Sequence, residues 1–239
     1  RTRLEKILGI QLPPDEQIDE SIPGPKPLRE LRTAFAMDET YFSIMEYFLR
    51  RGPRNGLYTV YVRGIDLVSH AALRYSDLYP EISANSAESQ WYGQLVQRYY
   101  RYTFQRISRL IQLAGPNTIV LIVSDHGFEY DPQLPELFGH YHAPTGVVIA
   151  YGPKVRRGLS QITASVFDIC PTLLWLAGYP KSQEMPGRPL SQLFDGLPSP
   201  RREAIPSYGY RLVTGLPAYT HPRQLRESLE LLRGLGYIR

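Results

Sequence analysis

Apolar and polar positions alternate through GLYTVYVRGID, residues 56–66, and the run is rich in β-branched and aromatic residues, which predicts a strand. Before it, DETYFSIMEYFLRRG starts at Asp38 with acids, carries apolar residues at helical spacing, and closes on arginines and Gly52. That is a helix with its stop signal. From about Ala87 to Ala114 a second helical pattern sets Leu95, Tyr99, Tyr102, Ile107, Leu110 and Ile111 at compatible intervals, until Gly115-Pro116-Asn117 breaks it. TIVLIVSD, ending at Asp125, is continuously apolar and predicts a strand covered on both faces, the kind found between helix layers. GVVIAYG predicts another strand, ASVFDICPTLLWLAG a helix, and PRQLRESLELLRGLG a last helix ending at Gly234 or Gly236. Strand and helix alternate, so the expected class is α/β, with a mixed, largely parallel sheet between helix layers. Residues 1–37 fall outside the pattern. Pro13, Pro14, Pro23, Pro25 and Pro27 among mixed charges predict an extended arm, leaving 38–239 as the main domain.

Composition narrows the function classes. At 239 residues, 43% hydrophobic and 21% charged, the chain has ample material for a core, and no apolar run in it is long enough to span a bilayer. The formal charge is +4, with basic residues scattered apart from pairs such as Arg156-Arg157 and Arg201-Arg202, so no nucleic-acid groove is indicated. The single cysteine, Cys170, excludes an internal disulfide and a cysteine-based zinc cluster, and its apolar helical setting predicts a buried, inert thiol. The chain starts RTRLEKILGI, with neither an initiator Met nor a signal-peptide pattern, and no compartment is read from it.

The chemistry concentrates in the histidines. Of five, three lie in SDHGFEYDPQLPELFGHYH, residues 124–142, and a fourth, His70, ends YVRGIDLVSH. Both phrases follow expected strands, where α/β sheets bind ligands. Asp66 and His70, four apart, share one side of any helix that starts there. Asp125 and His126 are neighbours at a strand end, where a turn at Gly127 lets both converge. Carboxylate oxygen with imidazole nitrogen is the donor mix that Zn²⁺ or Mn²⁺ accepts. His221, far downstream, reads as a surface residue.

SDHGFE behind an apolar strand, with GIDLVSH upstream, resembles the alkaline phosphatase superfamily, and within it the type I phosphodiesterase/nucleotide pyrophosphatase branch. YGPKVRRG, DICPTLLWLAGYP, MPGRPLSQLF and the terminal LLRGLGYI extend the resemblance from about Asp38 to the end. It implies a metal-dependent hydrolase of phosphodiester or related phosphate bonds, acting on a phosphate-ester small molecule with two divalent ions, zinc or manganese. Carried onto this chain, Asp66 and His70 hold one ion with a later histidine, and Asp125 and His126 hold the other. For the later histidine, His142 has the H-x-x-x-G spacing before Gly146, and His140 is the alternative. The branch's first motif, a strand-ended Asp followed by a Thr or Ser nucleophile, has no counterpart here, since Ser21 and Thr33 stand among prolines and charges. Thr103 also stands where the family often has Asp four residues after a tyrosine. The expectation is therefore the C-terminal part of a catalytic domain, its nucleophile in a segment outside this chain, or else a reduced relative that only binds metal.

Overall fold

Residues 2–13, 26–52, 56–83, 86–134, 137–142, 145–159, 161–200 and 203–209 are described by a computed structural model. Helix α1 (Thr2–Leu8) buries Leu4 and Leu8. Helix α2 runs from Pro27 to Arg50, so residues 27–37 are helical rather than an arm. Pro27 occupies the first turn, where a missing N–H costs nothing and the fixed φ suits the helix. Leu31, Phe35, Asp38, Phe42 and Leu49 fall on one face of α2 and are all buried. Gly52, at φ 94°, takes the left-handed conformation just beyond the helix end.

Helix α3 (Gly64–Ala72), the short α4 (Pro80–Ser83) and α5 (Ser89–Tyr92), and the long α6 (Leu95–Ala114) follow. Helices α2, α3 and α6 pack against one another, with Leu31, Phe35, Leu67, Val68, Leu95, Val96, Tyr99 and Tyr102 in their common core. Polar contacts set the register of α2 against α6. Glu39 accepts from Tyr102 Oη at 2.8 Å, and Arg106 reaches Glu39 at 3.1 Å and Glu46 at 2.9 Å. The Arg106 guanidinium also lies over the Phe42 ring.

Strand β1 (Val120–Val123) comes next, then β2 (Glu129–Tyr130), β3 (Phe138–Gly139) and β4 (Val148–Tyr151). β1 pairs antiparallel with β4, Val120 opposite Tyr151 and Val123 opposite Val148, and β2 pairs antiparallel with β3. Helix α7 (Ile169–Leu176) follows a turn of 3₁₀ helix at Val166–Asp168, where Ser165 and Asp168 form a capping box. The chain divides into two compact units. Among the described residues, one holds those up to Gly115 with 126–146, and the other holds Pro116–Asp125 with those from 147 to 209. The second unit has its own core around Leu190, Leu193 and Phe194.

This corrects the expected class. The described residues are mainly helical, with two small antiparallel two-stranded sheets and no largely parallel sheet between helix layers. A strand exists only through a ladder, and residues 57–62 have no ladder partner among the described residues. Their alternation is still used: Val60 and Val62 pack beside Phe42 and Leu110, while Leu57 and Tyr61 stay outside. β1 and β4 pair with each other, and Val123, Ile149 and Tyr151 are exposed, so this pair is not covered on both faces. Cys170 is likewise exposed, not buried. The inward position of that turn goes to Thr172, which donates to Asp168 O and accepts from the Leu190 N–H. The last expected helix and His221 lie outside the described residues.

Two substitutions test the correction. Leu95→Ala, at a fully buried position, is expected to cost about 2–5 kcal/mol in urea unfolding. Leu57→Ala, at a position 67% exposed, is expected to stay within about 0.5 kcal/mol. A core-sized loss at Leu57 would return that segment to a covered sheet.

Candidate metal centre

Helix α3 starts at Gly64 without help from its own N-cap, since the Arg63 side chain makes no capping bond. The Asp38 carboxylate of α2 supplies it instead, accepting from the amides of Arg63 and Gly64, each at 3.2 Å. Asp66 then sits in the first turn of α3, where the helix dipole favours a negative charge, and His70 follows one turn later on the same side. His70 Nε2 is 3.6 Å from Asp66 Oδ1.

His126 and His140 arrive from either side of the β2–β3 hairpin. His126 sits in an isolated bridge with Thr145 just before β2, and His140 directly follows β3. Their rings stack at 4.1 Å between centroids. His70 meets His140 edge-on at 5.1 Å and Phe128 at 4.9 Å. His126 Nε2 lies 4.0 Å from the same Asp66 Oδ1. Its Nδ1 is 2.9 Å from the carbonyl of Gly127, and a carbonyl only accepts, so Nδ1 is the donor of that contact.

Asp66, His126 and His140 each offer a donor atom, and these atoms lie within 4.8 Å of one another. A tetrahedral zinc site with bonds of about 2.0–2.2 Å spaces its donors by about 3.3 Å, so a side-chain adjustment of at most about 1.5 Å closes the set. His70 borders it. That ring is 2% exposed, and neither nitrogen has a hydrogen-bond partner among the described residues. Burial first, then the neighbouring His140, His126 and Arg63, push its pKa down to about 3, so it is neutral at ordinary pH. Tyr100 of α6 is held above the usual phenol range, by burial and then by the charge of Asp66, which puts it within electrostatic reach of the cluster.

Of the residues expected from sequence, Asp66 and His126 come together and His70 adjoins them. His142 is exposed, outside the group, with its amide donating to Glu129 at 2.6 Å. His140 takes the position expected for it. Two residues of extended chain cover about 6.6 Å, more than the span of the donor set, so the two histidines are not interchangeable. Asp125 is exposed and belongs to the second compact unit. Sequence reasoning missed Asp38, read only as part of the acidic start of a helix, and Tyr100. Compared with family models, with curated proteins and with solved structures, the chain finds no match.

The neutral His70 has a pH consequence. Its folded pKa lies below the ordinary value of 6.5, so the unfolded chain takes up the proton first as pH falls. In metal-free protein, stability is therefore expected to fall from about pH 6.5 toward pH 3. His70→Leu should flatten that slope in urea titrations run in chelator. Equal slopes for the two proteins would show that His70 is not held neutral by burial.

Proposed function

We propose that this chain binds one divalent transition-metal ion, zinc first and manganese second, through Asp66, His126 and His140. We propose further that the ion serves hydrolysis of a phosphodiester or related phosphate ester, with a Ser or Thr nucleophile outside this chain. The observation that carries the reading is the convergence of one carboxylate and two imidazoles within 4.8 Å, one of them with its tautomer already set by Gly127. An N₂O donor set with a fourth position left over is the arrangement of an open zinc site. When bound, the ion supplies charge stabilisation for phosphoryl oxygens and a water of lowered pKa. Asp66 contributes the anionic ligand, His126 and His140 the neutral ones, and His70 a further nitrogen at their edge.

The hydrolytic half of the proposal rests on the phrases SDHGFE and GIDLVSH and their resemblance to the phosphodiesterase branch. That resemblance would place a second ion on Asp125 and His126. His126 turns Nδ1 to the Gly127 carbonyl and Nε2 toward Asp66, so the same nitrogen would have to serve either ion. One ion in this chain is the reading these residues support best.

Elemental analysis and zinc titration test it. The expected result is about one tightly held zinc, with affinity reduced at least about 10-fold in His126→Ala and in His140→Ala. His142→Ala should bind as the parent does. Unchanged zinc stoichiometry in the first two variants removes the ligand assignment. The chain alone is expected not to turn over bis-p-nitrophenyl phosphate, and robust metal-dependent turnover by it would place the nucleophile inside these residues.

A further inference from the structure

Asp38 is the most deeply buried acid among the described residues, at 0% exposure. One of its oxygens accepts from the amides of Arg63 and Gly64. The other accepts from Gly64 again and from the Tyr99 hydroxyl at 2.9 Å. A single carboxylate thus ties α2, the start of α3 and α6 together. The approach is close enough to dictate a residue. A Cβ on Gly64 would lie 2.1 Å from Tyr99 Oη and 2.3 Å from Asp38 Oδ2, so no side chain fits there. Two residues beyond that contact, on the same helical turn, stands Asp66.

We propose that Asp38, oriented by Tyr99 and admitted by Gly64, is a positioning residue for the metal centre, fixing the first turn of α3 and through it the Asp66 carboxylate. The role rests on the metal-binding reading above and adds a residue that touches neither the ion nor its ligands. Burial raises the Asp38 pKa, and hydrogen bonds from Tyr99, Gly64 and Arg63 oppose that rise. Tyr99 in turn is held well above the phenol range, by burial and then by Asp38, so it remains a donor across the working pH range. Partners of metal ligands typically change affinity about 10–100-fold when removed, and a misplaced carboxylate acts through the same geometry.

The test measures zinc affinity by competition with a chromophoric chelator, together with the visible spectrum of the cobalt(II)-loaded protein. Both are done on the folded chain, checked by circular dichroism. Asp38→Ala is expected to weaken zinc binding about 10-fold or more and to change the cobalt band shape. Asp38→Asn keeps an oxygen for the two amides and should recover most of that loss. Tyr99→Phe removes only one hydroxyl, so it carries the test should Asp38→Ala fail to fold, with an expected loss of several-fold. A purely structural role would lower stability and leave both readouts at parental values in folded Asp38→Ala and Tyr99→Phe. Parental affinity and spectrum in whichever of Asp38→Ala and Tyr99→Phe folds therefore overturn the proposal while His126→Ala still loses zinc. A parent that binds no zinc, or a His126→Ala that binds it unchanged, overturns the metal reading and the positioning role with it.

Discussion

A carboxylate with no exposure to water is the constraint around which the first compact unit is arranged. Burying the charge of Asp38 is costly unless every lone pair finds a donor, and hydrogen bonds to a charged group are worth about 1.5–3 kcal/mol each. The donors come from two places that sequence separates widely: the amides at the start of α3 and the hydroxyl of Tyr99 in α6. The solution serves both sides. Helix α3 gains the N-terminal acceptor that Arg63 does not provide, and Asp38 gains the positive end of a helix dipole.

The register of α2 follows from the same stripe. Asp38, Phe42 and Glu46 succeed one another at intervals of four, so the turn that delivers Asp38 to α3 also delivers Phe42 beneath Tyr102 and Glu46 to Arg106. Glu39, next to Asp38, is held by Tyr102 and Arg106 on α6. Slipping α2 by one residue would unpair the buried carboxylate and this ion network together. The polar contacts specify the packing, and the apolar residues around Leu31, Leu95 and Val68 supply most of the stabilisation.

Much of the local structure was legible because it rests on periodicity. The helix expected from about Ala87 appears as two, Ser89–Tyr92 and Leu95–Ala114, and the strands at Val120–Val123 and Val148–Tyr151 fall where the patterns place them. What periodicity cannot supply is the partner. The alternation in residues 57–62 correctly sends Val60 and Val62 inward, yet the surface that receives them is helical, so no ladder forms and the expected sheet fails. Pro27 reads as an interruption when it in fact opens α2, because proline is disruptive inside a helix and well suited to its first turn. Within the site, the gathering of scarce histidines beside carboxylates singled out Asp66, His70, Asp125 and His126, and the resemblance, through its H-x-x-x-G phrase, then favoured His142. The choice between His140 and His142 depends on where β3 ends and the chain turns away, which is a property of the hairpin rather than of the local phrase. Asp38 was invisible for a related reason: its partners lie 25, 26 and 61 residues away.

The cluster also has an internal charge logic. Three imidazoles lie together, His70 edge-on to His140 and His140 stacked on His126, and burial together with the neighbouring rings leaves His70 neutral well into the acid range. Protonation of that ring is thus closed off as a source of positive charge beside Asp66. A neutral imidazole is a ligand for a divalent ion rather than its competitor. On the metal-binding reading proposed above, the burial that makes His70 a poor base suits its surroundings to an ion, and the hairpin that brings His140 against His126 serves the same end.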